Sequence, residues 1–177
     1  LPMWEESSLV RVVPSARPRK LAKVPFVELA DGRLQGVVSS GSDISRVYVS
    51  SVAAGDFAFA CRTNNNRPCG GLRGGFCNHV TALVGEAVLQ YGGARVARYL
   101  QAETAEAADA AGTAAVPTAQ QLTAAMSAVR PQQSADGQAV TGQVFSRFLR
   151  HLAYLELPAT TAPLPEMHWF PTAGAVA

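Results

Sequence analysis

The hydrophobic pattern changes its period along the chain. Between residues 24 and 61 apolar positions fall in short runs: Val24-Pro25-Phe26-Val27-Glu28-Leu29, Leu34-Gln35-Gly36-Val37-Val38, Arg46-Val47-Tyr48-Val49-Ser50 and Phe57-Ala58-Phe59-Ala60-Cys61. Short runs rich in β-branched and aromatic residues predict strands, and Asp31-Gly32 and Gly41-Ser42-Asp43 supply turns between them. Beyond residue 79 the period lengthens. Val80, Leu83, Val84, Ala87 and Val88 sit at i, i+3, i+4, i+7 and i+8, the apolar stripe of an amphipathic helix, which Tyr91-Gly92-Gly93 ends. Residues 94–115 are helix-permissive, with Glu103, Glu106 and Asp109 forming an acidic face before Gly112 weakens the helix and Pro117 stops it. Thr118 to Val129 reads as a further helix on Leu122, Met126 and Val129, Arg130 to Gly137 as a loop, and Val140 to Leu155 as a last helix with Val144, Phe148, Leu152 and Leu155 inward.

These elements predict an α+β fold: a small antiparallel sheet, a loop and helix, then a helical C-terminal half, flanked by extended arms. The organisation follows as a basic, Pro-containing arm (1–23), a central module (24–91), an Ala-rich helical region (92–157) and a Pro-rich tail (158–177).

Composition narrows the function classes. Of 177 residues, 48% are hydrophobic and 16% charged, against about 25% charged in an average soluble chain. No apolar run approaches the roughly 18 residues of a membrane span, and Leu1 to Glu6 shows no signal-peptide pattern. A cytoplasmic protein without a membrane partner is expected. The net charge of +2 is too small to argue for nucleic acid. It is uneven, however: residues 1–80 carry 10 Lys/Arg against 6 Asp/Glu, and residues 81–177 carry 5 against 7.

The three cysteines carry the chemistry. Cys61, Cys69 and Cys77 fall within 17 residues, and His79 follows the last, in the pattern C-x7-C-x7-C-x-H. An odd cysteine count without a secretory signal argues against a disulfide framework. Three soft thiolates and an imidazole make the closed tetrahedral shell of a structural zinc site. Pro68, Gly70, Gly71, Gly74 and Gly75 let the backbone turn around an ion. Helical residues two apart diverge by about 200°, so Cys77 must precede the helix and His79 lie in its first turn, with Asn78 as N-cap. An iron–sulfur cluster, a catalytic zinc and three unbound thiols in a Gly-rich loop are the alternatives; four ligands so close together leave a catalytic zinc no open position.

Cys77-Asn78-His79-Val80-Thr81-Ala82-Leu83 resembles the second half of the SWIM zinc finger, C-x-H leading into an apolar helix. Tyr48-x-Val, two strands and then Cys61 resemble the approach to its first half, C-x-C. The resemblance covers residues 32–90. It departs at Thr63, where the second cysteine of C-x-C would stand, so that Cys69 supplies the fourth ligand from further along the loop. It implies structural Zn2+ and binding to protein or nucleic acid, in a family whose members often accompany ATPase or ubiquitin-ligase machinery.

Outside that string, Arg11, Arg17, Arg19, Lys20 and Lys23 form a basic stretch kept extended by Pro14 and Pro18. With Arg62, Arg67 and Arg73 of the metal loop they are candidate phosphate contacts, although no aromatic interleaves the arm to stack bases. Trp4, Trp169 and Phe170 on the arms are candidate partner anchors. His151 reads as a packed or surface histidine, and His168 as a docking residue. No nucleophile triad, phosphate loop or paired carboxylate is legible, so neither catalysis nor a small-molecule substrate is expected. The resulting expectation is a non-enzymatic, zinc-stabilised adaptor in a multi-subunit assembly. A nucleic-acid-binding module and an accessory subunit of an enzyme complex are the alternatives.

Overall fold

A computed structural model of the chain describes residues 22–41, 45–103 and 115–155. Four strands, β1 (Phe26–Ala30), β2 (Arg33–Ser39), β3 (Val47–Ala53) and β4 (Phe59–Thr63), are followed by four helices, α1 (Asn78–Tyr91), α2 (Gly93–Leu100), α3 (Ala119–Ala128) and α4 (Gly137–Leu155). The strands form one antiparallel sheet in the order β1-β2-β3-β4. The protein is therefore α+β, as its pattern predicts, with a cysteine–histidine cluster beside the sheet. Trp4, Arg11, Arg17, Arg19, Lys20, Glu106, Asp109, His168, Trp169 and Phe170 lie outside the described residues. Among those described, no helix is long and apolar enough to cross a membrane.

A simple up-and-down meander needs only tight turns. Asp31 and Gly32 both take positive φ (55° and 71°) in the two-residue β1–β2 turn, the backbone that favours Asp-Gly in hairpins. Period-2 alternation then sends neighbouring side chains to opposite faces. Leu34 and Val38 of β2, Val52 of β3 and Phe59 and Cys61 of β4 belong to one buried cluster with Val80, Leu83, Val84 and Ala87 of α1. Val96 and Leu100 of α2 and Leu122 and Met126 of α3 extend the same core. Val37, Val47 and Val49 point the other way and meet Val140, Val144 and Phe148 of α4. The sheet is thus covered on both faces, which explains why β2 and β3 are buried almost throughout. Gly36 leaves no room for a side chain between β1 and α1: a Cβ there would lie 2.2 Å from the carbonyl oxygen of Phe26 and 2.7 Å from Leu83.

Three local expectations are corrected. The N-cap of α1 is Cys77, in extended conformation, and Asn78 is already helical; a C-x-H ligand pair needs its cysteine just outside the helix, which leaves no room for a separate cap. The helix from residue 93 ends at Leu100, not near 115. Gln101 turns left-handed, and Ala102 N–H bonds to Ala97 O at 2.9 Å, a Schellman-type stop that tertiary packing enforces; Gly55 N–H binds the Leu100 carbonyl at 3.0 Å. Glu103 therefore lies beyond the helix rather than on an acidic helical face. Finally, α4 begins at Gly137, inside the expected loop, because the preceding residues bind the edge of β4: Phe59 N–H to Gln132 O at 3.1 Å and Ser134 N–H to Phe59 O at 2.8 Å. Elsewhere α3 starts on a full capping box, Thr118 with Gln121, worth about 1 kcal/mol.

Candidate metal centre

Register places the first ligand. Cys61 of β4 stands opposite Ser50 of β3, and Tyr48 and Ser50 share its face of the sheet by alternation. The chain then folds back along β4 in a tight hairpin. Thr63 N–H bonds to Arg67 O at 2.8 Å, Arg62 bridges to Pro68, and Cys69 N–H bonds to Cys61 O at 2.9 Å. The seven-residue spacing between Cys61 and Cys69 is therefore the length of a hairpin that returns the second cysteine beside the first. Thr63 closes that turn: its hydroxyl accepts from Arg67 N–H at 3.1 Å. Asn66, left-handed at φ 63°, sits at the tip, where Asn is tolerated. Arg62 locks it in place, donating to Asn66 Oδ1 at 2.6 Å and to its carbonyl at 2.9 Å.

The second half of the loop then turns around the cysteines. Gly71 N–H donates to Cys69 Sγ at 3.4 Å, and a Cβ on Gly71 would lie 3.1 Å from Cys77 Cβ. Phe76 meets Phe59 edge-on, centroids 5.0 Å apart. Cys77 caps α1, its carbonyl taking Thr81 N–H at 3.1 Å and the Thr81 hydroxyl at 3.2 Å. His79 follows in the first turn, and its ring stacks on Tyr48 at 3.8 Å and 15°.

The result is a compact set of donors. His79 Nδ1 lies 3.7 Å from Cys61 Sγ, 3.4 Å from Cys69 Sγ and 3.8 Å from Cys77 Sγ. All four ligand atoms fall within 4.8 Å of one another, and all three cysteines are free thiols and buried. The group could hold a metal ion. An ion bound tetrahedrally at about 2.3 Å from sulfur and about 2.0 Å from nitrogen spaces S and N about 3.5 Å apart, close to what is found here. Ser50 supports the group from the sheet, its hydroxyl donating to Cys61 Sγ at 3.3 Å.

Electrostatics of the metal-free group point the same way. Cys77 is pushed down from the ordinary thiol value to about 4, chiefly by a hydrogen bond with Cys61, then by the His79 side chain and the backbone N–H groups of Val80 and His79, against the opposing effect of burial. A helix N-terminus favours a thiolate in this way. Cys61 moves up, because the same hydrogen bond and burial hold its proton. Without a cation the cluster keeps a proton between two sulfurs; three neighbouring buried thiolates need a positive ion to coexist.

The other candidates scatter. Arg62 is half-buried and bound to Asn66, whereas Arg67, Arg73 and Lys23 are exposed. His151 is exposed, with its ring 5.6 Å from Phe26. Of the residues that support the donors, Ser50 carries no signal in the sequence, whereas Tyr48 enters there through the SWIM-like approach, Thr63 as the departure from C-x-C and Gly71 as a turn glycine. What sets Tyr48 and Ser50 beside Cys61 is strand parity across a register that the sequence does not specify. Comparison with family models, curated proteins and solved structures yields no match to this chain.

Proposed function

We propose that Cys61, Cys69, Cys77 and His79 bind one Zn2+ as a structural ion, and that the chain is a SWIM-like, non-enzymatic adaptor joining protein partners in a larger assembly. The observation that carries this reading is the donor set itself. Three thiol sulfurs and one Nδ1 crowd around a single point. Soft thiolates with an imidazole suit zinc. Four protein ligands leave no position for a catalytic water, which separates a structural from a catalytic ion. The C-x-H pair at the start of an apolar helix supports the SWIM resemblance. Trp4, Trp169 and Phe170 are the proposed partner anchors, on the sequence argument alone.

Native mass spectrometry of the protein taken from its own cells tests the proposal. One zinc per chain with a stoichiometric protein partner is the expected result. One zinc on a bare chain that binds single-stranded nucleic acid with a steep salt dependence would replace the adaptor reading with the nucleic-acid one. A partner that becomes catalytically active only when mixed with this chain would make it an enzyme's accessory subunit. Absence of metal would overturn the zinc assignment.

A further inference from the structure

Beside the metal centre, where Ser40, Ser45 and Arg46 flank the hairpin after β4, the surface opens into a polar depression of about 440 Å³. Arg46, Arg67, Asn64, Asn65, Tyr48 and Ser40 are among its lining residues. Both arginines are exposed, and among the described residues neither guanidinium meets a carboxylate or a hydrogen-bond acceptor. The depression is built rather than incidental. Thr63 pairs with Tyr48 across the β3–β4 ladder, Asn64 N–H bonds to Val47 O at 3.1 Å, and the Arg62–Asn66 lock holds the hairpin that presents Asn64, Asn65 and Arg67. Tyr48 is shared with the metal centre, one face of its ring lying on His79.

Resting on the adaptor reading, we infer that this depression binds a phosphomonoester carried on the partner protein, a phosphorylated side chain. Two guanidiniums that meet no carboxylate among the described residues border one concavity and match the charge of a phosphomonoester, about −1.5 to −2 at neutral pH, and guanidinium forks bind phosphate oxygens in pairs. Asn64 and Asn65 offer further amide donors without a partner among the described residues. The volume is enough for a phosphate and the start of its side chain. A nucleic-acid strand fits less well. It presents one charge per phosphate along a line, whereas Arg62 on the same hairpin is turned onto its own chain at Asn66.

The experiment uses the full zinc-loaded chain. Binding is measured for phenyl phosphate by heteronuclear NMR, and by fluorescence anisotropy for a labelled pentapeptide of glycines around one phosphoserine, its unphosphorylated twin, and a twelve-residue oligothymidylate. Phenyl phosphate and the phosphopeptide should bind, and the unphosphorylated twin should not. Arg46→Gln with Arg67→Gln should weaken the phosphopeptide at least tenfold while zinc content and circular dichroism stay unchanged, each single change giving a smaller loss. Three results would overturn the inference: no binding of phenyl phosphate, binding indifferent to the double substitution, or oligothymidylate binding more tightly than the phosphopeptide. A stoichiometric protein partner found together with no phosphate binding sinks this inference alone. Phosphate binding by a chain that never captures a protein sinks the adaptor reading instead.

Discussion

The two faces of the sheet solve the same problem by different means. Under α4 the covering layer is one continuous helix. It satisfies its own backbone and presents Val140, Val144 and Phe148 to Val37, Val47 and Val49. Arg147 ties it to the β1–β2 hairpin, donating to Glu28 at 2.7 Å and reaching Asp31 at 2.8 Å. The opposite face is covered by α1, α2 and α3, but α1 is reached through fourteen residues after β4 that carry little apolar material; Leu72 and Phe76 are their large apolar side chains. A segment of that composition does not bury enough surface to offset its ordering entropy. Backbone hydrogen bonds hold its first half along β4, and three thiols and an imidazole converge on one point around it. The difference teaches where a cross-link matters most: a helix packs by its own periodicity, whereas an irregular loop gains from a tie, which the four donors could supply by holding a metal ion.

Metal removal should therefore break the comparison most severely. Apparent binding energies of structural zinc run to about 10–16 kcal/mol, as large as the roughly 5–15 kcal/mol stability of a whole domain. Cys77→Ser or treatment with a strong chelator should release the ion and unfold residues 24–91, read by circular dichroism and a zinc-sensitive dye; a folded, zinc-replete Cys77→Ser protein would remove the site assignment. Acid should act along the same route. Cys77 is held down to about 4 in the fold against an ordinary 9.0, so its stabilising contribution is complete above the ordinary thiol value. That contribution declines as pH falls and is lost as pH passes through about 4. Dye-detected metal release on acid titration checks the direction: release that grows with rising pH across this window contradicts it.

The α4 face should respond as a packed core does. Phe148→Ala removes its largest fully buried side chain and should cost about 3–5 kcal/mol in urea unfolding, with zinc stoichiometry unchanged in the folded fraction. If zinc is lost in step with it, the two faces are not separable. Gly36→Ala tests the opposite face without touching a ligand. Its added methyl meets backbone and Leu83, and a loss of about 1–3 kcal/mol is expected, with a faster zinc exchange as α1 is pushed from the sheet. Arg147→Gln should have the smallest effect. The side chain is half-buried and its ion pairs stay in contact with water, so the urea midpoint should move only slightly and the residual shift should shrink at high salt. A large loss would mean that α4 is held by charge rather than by its apolar stripe.

Much of this layout was legible in advance where a period or a turn signal was strong. The four strands, the Asp31-Gly32 turn and the helix on Val80, Leu83, Val84 and Ala87 stand within a few residues of their expected places. The cluster of Cys61, Cys69, Cys77 and His79 follows from donor types and spacing. The boundaries that moved are the ones that neighbours decide. Cys77 replaced Asn78 as the cap because it serves both helix and cluster. The second helix stopped at Leu100 although Ala-rich residues follow, since propensity is a weak prior against packing.

By itself the sequence determined what repeats locally: alternation for strands, a 3.6-residue stripe for helices, and the chemistry of three thiols with one imidazole. Only the tertiary structure decided the strand register that sets Ser50 against Cys61, the hairpin that brings Cys69 to Cys61, and the stacking of Tyr48 on His79. It also decided that both sheet faces are covered and that Arg46 and Arg67 border one depression. The physical reason is range. Periodicity and donor chemistry are written in neighbouring residues, whereas register and juxtaposition depend on which distant segments bury each other's apolar faces, a choice made by the whole core at once.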